Sequence, residues 1–166
     1  TVTGVQTCAL PICNRSGLVG QFSVGTLPFA DWPESRFDDS RPAYGWSFSM
    51  GLGWGWSETN IISYDISLEW EAYGATASTR GVQGPSWYHY FSVDPGWYTR
   101  LAAVWVTTNF ESSVESGAGP GVVIGGGIEP IRHVHIDSHI LLAYASSDTE
   151  EVFLSAIGVN LRLVIY

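Results

Sequence analysis

Lysine is absent from this chain, and seven arginines face 16 Asp and Glu, for a formal charge of -9. With no basic stripe to meet phosphates, nucleic-acid binding is excluded. An acidic outer surface that binds divalent cations stays open. No run of 18 apolar residues occurs, which excludes a transmembrane helix. It excludes nothing about membrane β-barrels, whose strands are short and only alternately apolar. No signal-peptide pattern is visible, so export is not readable here. Cys8 and Cys13 are the only cysteines. A disulfide between them would close a very short loop, and no metal partner set lies nearby. Helix formers are scarce, whereas Gly 19, Trp 8, Tyr 8 and Phe 7 favour an all-β chain. The 166 residues suffice for one domain with a sizeable core.

The clearest pattern runs from Tyr44 to Ser57, YGWSFSMGLGWGWS. Tyr44, Trp46, Phe48, Met50, Leu52, Trp54 and Trp56 alternate without a break with Gly45, Ser47, Ser49, Gly51, Gly53, Gly55 and Ser57. A period of two predicts a β-strand with every bulky side chain on one face. The opposite face is tiny rather than charged, as the crowded inside of a narrow barrel requires. The aromatic face needs an apolar environment, either lipid or a second protein layer.

The same reading along the chain predicts eight strands, over residues 18–29, 43–57, 61–76, 87–93, 97–110, 119–129, 133–145 and 152–166. In 61–76, Ile62, Tyr64, Ile66, Leu68 and Trp70 oppose Ser63, Asp65, Ser67, Glu69 and Glu71. In 133–145, Val134, Ile136, Ile140, Leu142 and Tyr144 oppose His133, His135, Asp137, His139, Leu141 and Ala143. Residues 30–42, 77–86, 111–118 and 146–150 read as polar loops, and 58–60, 94–96 and 130–131 as short turns. In a meander each set gathers at one end, and short turns opposite longer loops are the pattern of a membrane barrel. Residues 4–13, GVQTCALPIC, resemble translated sequencing-adapter read-through, so no role is placed on them, and residues 1–17 read as an N-terminal segment of uncertain, non-native origin outside the domain.

Three segments, GVVIGGGIEPI, HVHIDSHILLAYA and FLSAIGVNLRLVIY, are glycine-rich and alternating, and the last ends on an aromatic residue. They resemble the last three strands of the small eight-stranded outer-membrane β-barrel proteins of Gram-negative bacteria, a resemblance covering about residues 18–166. It implies an all-β, eight-stranded antiparallel up-and-down transmembrane β-barrel in the bacterial outer membrane, with 18–166 as a single domain. Its partners would be membrane lipids, including lipopolysaccharide, and surface or envelope partners met through the long loops. One departure stands out. In that family the terminal aromatic lies in phase with the lipid-facing residues, whereas Tyr166 is in phase with Val164, Arg162 and Asn160. Either a residue or more is missing at the C-terminus, or the last strand carries an irregularity.

Physical chemistry points the same way. In a bilayer every strand edge must be paired, so eight strands have to close. Trp54, Trp56, Trp70, Tyr144 and Trp97 lie near strand ends, where an aromatic belt sits. The expected lipid-facing set is Trp46, Phe48, Leu52, Trp54, Ile62, Tyr64, Ile66, Leu68, Ile136, Ile140, Leu142, Leu161 and Leu163. The expected interior set is Asp65, Glu69, Glu71, Glu129, His133, His135, Asp137, His139, Asn160 and Arg162. The direction of Arg100 is open. Buried charges are costly unless paired, so these residues should form a hydrogen-bonded network that plugs the interior and fixes register. Such a barrel holds its own side chains or one small ligand and is not a wide pore.

Two sharper readings of the histidines compete with that network. His135 and Asp137 could meet a metal, or set up a hydrolytic base. The second needs a nucleophile, and by alternation Ser138 and Ser155 both fall on the outward phase. No catalytic triad is visible, and neither a cofactor nor a bound metal is expected. The leading role is structural, envelope-stabilising or surface-interacting, with a membrane-embedded lipid-modifying hydrolase as one alternative. A soluble all-β binding module is another; it would bury Trp46, Phe48 and Trp54 and send Asp65, Glu69 and His135 to solvent. In the first loop, Asp31, Glu34, Asp38 and Asp39 beside Arg36 and Arg41 read as a solvated segment or a contact site for host surfaces, cations or a partner. Gly125-Gly126-Gly127 lacks the following Lys and helix of a phosphate loop and reads as close strand packing.

Overall fold

The computed structural model describes residues 15–31, 44–73, 76–91, 96–110, 116–146 and 151–166. Eight antiparallel strands follow one another around a closed barrel: β1 (Gly17–Asp31), β2 (Tyr44–Ser57), β3 (Asn60–Tyr73), β4 (Thr76–Tyr90), β5 (Gly96–Phe110), β6 (Ser116–Ile131), β7 (Val134–Ser146) and β8 (Glu151–Ile165). Each pairs with its sequence neighbour, and β8 closes on β1 through Gly20 opposite Ile165 and Val24 opposite Leu161. One register shift interrupts that seam, between Thr26 and Phe29. Closure leaves no strand edge unpaired, the condition an all-β chain must meet in lipid.

The alternation in β2 has the sense that its side-chain sizes predict. Trp46, Leu52 and Trp54 point outward and are exposed, while Gly45, Ser47 and Gly55 are buried. The small inward residues make room for longer chains from across the lumen. A Cβ at Gly51 would stand 2.3 Å from Asp65 Oδ1, and one at Gly158 would stand 2.3 Å from His139 Cε1. Gly158→Ala is therefore expected to displace the His139 ring and cost about 1–3 kcal/mol, the range for overpacking. The urea midpoint of the folded protein in detergent micelles would measure it, and an unchanged midpoint would show that the interior is looser than described.

Three expectations need correction. Residues 77–86 are not a loop: they belong to β4, paired from Asn60 opposite His89 to Tyr73 opposite Thr76. Only residues 74–75 separate β3 from β4, so the connections at that end are not uniformly long. Ser, Thr, Gly and Pro there resemble turn chemistry, but Ser78, Arg80, Val82, Ser86 and Tyr88 alternate inward. The outward positions Thr79, Gly81, Gln83 and Pro85 lack the large apolar side chains that would have marked a strand. The strand read over 87–93 is the end of β4, which stops at Tyr90; residues 92–95 lie outside the described residues, and Gly96 opens β5. Finally, Pro130 and Ile131 belong to β6, and the turn falls on Arg132 and His133.

His133 therefore sits in that turn rather than in a strand. Its φ of 71° lies in the left-handed region that non-glycine residues rarely adopt. Two contacts hold it there. Its backbone N–H donates to Glu129 Oε1 at 2.9 Å, and its Nδ1 lies 2.8 Å from the Val164 carbonyl oxygen. The Glu58–Thr59 turn is tied by side chains, with Thr59 N–H on Ser57 Oγ at 3.3 Å and Asn60 Nδ2 on the same oxygen at 3.1 Å.

Candidate functional site: the polar interior

The barrel is turned inside out relative to a water-soluble protein. Among the described residues, Arg15, Arg80 and Arg162 are buried in the lumen with Asp65, Glu69, Glu71, Glu129 and Asp137. Trp46, Trp54, Leu52 and Leu161 are more than half exposed on the outside. The arrangement expected of a soluble module, with Trp46, Phe48 and Trp54 inside and Asp65, Glu69 and His135 outside, is overturned. The inward phase of β2 is too small to form an apolar core, and the inward phase of β3 is acidic.

Near the end where the 58–59 and 132–133 turns lie, Arg15 crosses the lumen. Its guanidinium stands 4.0 Å from the centre of the Tyr90 ring, donates to the Glu58 carbonyl at 3.2 Å and pairs with Glu129. Glu129 also accepts from Tyr166 at 3.4 Å. His135 Nε2 lies 3.1 Å from the Tyr166 hydroxyl and 3.6 Å from Glu129. Tyr166 is thus part of the interior plug, which accounts for its phase. β8 keeps one register with β7 from Leu163 opposite Val134 to Glu151 opposite Ser146, so no irregularity of that ladder is involved. Arg15, in the segment given no role from sequence, fills this layer together with Tyr90 and Tyr98.

The middle layer carries most of the paired charge. Arg162 makes an ion pair with Asp137 at 3.0 Å and donates to Gln21 Oε1 at 3.1 Å and to the Tyr88 hydroxyl at 2.5 Å. The Tyr88 hydroxyl donates in turn to Asp65 at 2.6 Å, and Asp65 pairs with Arg100 at 2.8 Å. Arg100 thus points inward. Gln21 Nε2 and Ser63 Oγ donate to the other Asp65 oxygen at 2.5 and 2.6 Å. Asn160 bridges Asp137, at 3.1 Å, to Ser47, at 2.9 Å, and its Nδ2 lies 3.1 Å from His139 Nδ1. Low local dielectric strengthens such bonds and makes any missing partner expensive, so the set acts as one unit.

Toward the other end the lumen divides. On one side Arg80 joins Glu69, its Nε donating at 2.7 Å, to Glu71 at 2.6 Å. On the other side Val104, Val106, Val123, Leu141, Ala143, Leu154 and Ala156 form a small apolar core. Between the layers a polar cavity of about 20 Å³, lined by Ser49, Asp65, Glu69, Arg100, His139 and Asn160 among others, has room for about one water.

The ten residues expected in the interior fall into different groups. Asp65, Asp137, Asn160, Arg162 and His139 share the middle layer, Glu69 and Glu71 sit with Arg80, and Glu129, His133 and His135 gather around Arg15 and Tyr166. His133 and His135 thus have other partners than His139. Among the described residues no three His, Cys, Asp or Glu come together as a metal site. Ser138 is exposed on the outer surface, and Ser155 lies on the outward phase of β8. The acidic first loop from Glu34 to Arg41, both cysteines and residues 4–13 lie outside the described residues, as does the side chain of Asp31. Sequence reasoning missed Arg15, Gln21, Arg80, Tyr88 and Tyr98. The signal for Tyr88 and Arg80 was their shared phase along β4, hidden once 77–86 was read as a loop.

No family model and no curated protein matches this chain. Solved structures do. Neisserial surface protein A is similar at 16% identity and a TM-score of 0.52, over 88% of this chain and 95% of that one. Ail, the attachment invasion locus protein of Yersinia pestis, matches at 13% identity and a TM-score of 0.49, over 87% of this chain and 98% of the other. At these identities the likeness to Neisserial surface protein A is one of fold: a closed, eight-stranded antiparallel barrel.

Proposed function

We propose that this chain is an outer-membrane β-barrel of a Gram-negative bacterium, with its lumen plugged and a structural or surface-interacting role. One observation carries the reading: seven strands carry large apolar side chains along the outside and β4 carries Trp87, while most of the described charges are buried inside. A monomeric soluble protein rarely exposes an apolar patch beyond a few hundred Å². Here the patch runs over seven strands and the Trp87 end of β4, and lipid covers it.

The outward set named from the sequence, from Trp46 and Phe48 through Ile66 and Ile140 to Leu163, forms the lipid contact. Aromatic residues border it on both sides. Trp54, Trp87 and Trp97 lie toward the end of the 58–59 and 132–133 turns, and Trp46, Trp70, Trp105 and Tyr144 toward the other. Trp46 and Trp54 are about 26 Å apart along the strand, or about 20 Å along the axis once a typical strand tilt is allowed for. Tyr44 and Trp56 lie just beyond. That spacing suits the apolar band of about 25 Å that such barrels present. The end holding the 58–59 and 132–133 turns, with Arg15 and Tyr166, faces the periplasm. The end with the longer connections faces outward, toward lipopolysaccharide and surface partners.

Produced with an export signal in a Gram-negative host, the protein is expected in the outer-membrane fraction, and recovery in the soluble fraction would overturn the reading. Because ion-paired side chains fill the lumen, planar-bilayer recordings should show no steady open conductance of the porin kind. A stable open channel would contradict the plugged interior.

A further inference from the structure

We propose that the outer surface across the β8–β1 seam holds one anionic glycerophospholipid of the periplasmic leaflet, an acyl chain in a preformed groove and its phosphate at Arg132. The proposal rests on the membrane reading above.

The groove has a volume of about 280 Å³, and its apolar walls are Phe22, Val24 and Phe48 on one side and Val134, Leu161 and Leu163 on the other. Its floor is the backbone of Ser23 and Arg162, whose side chains turn into the lumen. Register explains the walls. Leu163 faces both Val134 and Phe22, and Leu161 faces Val24, which faces Phe48, so outward residues of four strands line two adjacent rows. One outward step below Phe22 comes Gly20, where a Cβ would meet nothing within 4 Å. The trough therefore continues over Gly20 toward the short-turn end. It is smaller than pockets that enclose a whole ligand and open along its outer side, which suits a chain lying along the barrel while the rest of its molecule stays in the bilayer.

Charge identifies which molecule. Arg132 is the one exposed arginine among the described residues. It lies in the 132–133 turn, two positions before Val134, which lines the groove. Its turn is fixed to β8 by the Val164 N–H donating to the His133 carbonyl at 2.9 Å, and to β6 by Glu129. The other described arginines are committed to carboxylates inside. On a chain of charge -9 an isolated cation at headgroup height is the natural seat for a phosphodiester. The lower row of the groove, Val134, Leu163 and Phe22, leads toward the short-turn end where Arg132 lies, which selects a glycerophospholipid of the periplasmic leaflet over the phosphates of lipopolysaccharide.

The test is native mass spectrometry of the full chain released from nanodiscs of phosphatidylcholine doped with phosphatidylglycerol. One retained phosphatidylglycerol per barrel is expected. Arg132→Glu should lower its retention about tenfold, and Val24→Trp, which fills the groove, should lower it comparably with Arg132 intact. Both variants should enter nanodiscs as the parent does. Absence of a one-to-one adduct, retention of phosphatidylcholine equal to that of phosphatidylglycerol, or retention by either variant equal to the parent's would overturn the lipid site and leave the membrane barrel standing. Failure of the parent protein to enter nanodiscs would overturn both.

Discussion

Replacing Arg162 by methionine is expected to cost the folded barrel about 3–5 kcal/mol, the range for removing one partner of a buried ion pair. The side chain is 2% exposed and serves Asp137, Gln21 and Tyr88 at once. Without it, the buried Asp137 carboxylate keeps two neutral hydrogen-bond donors, Asn160 at 3.1 Å and Tyr98 at 3.1 Å. Tyr88 also loses the cation that its oxygen accepts from. Arg162→Met combined with Asp137→Leu should recover a large part of the loss, because an apolar pair leaves no uncompensated charge. Denaturant titration of the four members of this cycle in micelles or vesicles would give the coupling. A single Arg162→Met cost below about 0.5 kcal/mol, the size of an ordinary surface change, would contradict the network.

Ile66→Arg should cost about 2–4 kcal/mol when folding is measured into a bilayer, because Ile66 sits near the middle of the outer face, where an arginine must leave water for hydrocarbon. Ile66 is exposed, midway along β3 and opposite Met50 and Gln83. Were water its neighbour, the same substitution would be nearly neutral. The control is Ile131→Arg, at the short-turn end of β6 and exposed, where the cost should fall to about 0–1 kcal/mol at the interface. Folding titrations into phospholipid vesicles measure both. Equal and small costs at the two sites would place the outer face in water.

How much of this was legible in the sequence depended on contrast between the two phases. β2 and β3 were readable because Trp, Ile, Leu and Tyr alternate with Gly, Ser, Asp and Glu, so both the strand and the direction of each side chain followed. β4 was readable only from Trp87 on, because Thr79, Gly81, Gln83 and Pro85 give its outer phase no apolar signature. Its inner phase, Ser78, Arg80, Val82 and Ser86, is as polar as a loop. Reading 77–86 as a loop lost Arg80, the partner of Glu69, and hid the inward phase that Tyr88, in the strand read over 87–93, shares with it. The interior acids were found by alternation alone, but alternation cannot say which acid meets which arginine. That depends on the stagger of strands around the closed barrel, set by pairings such as Gln21 opposite both Gly51 and Val164. His133 went astray by one residue at a strand end, where the turn of β6 into β7 takes its unusual backbone. The phase of Tyr166 was read correctly and became intelligible only once Glu129 and His135 stood beside it.

The first measurement to make is migration on unboiled and boiled gels after refolding in detergent, alongside the same chain in plain buffer. The barrel described here should require detergent to stay dispersed. It should run as a faster, compact band when unboiled and shift to its full 18.1 kDa mobility on boiling. A monodisperse species in plain buffer with a single, heat-independent band would contradict the membrane barrel, and the aromatic belt would then have to be covered by protein.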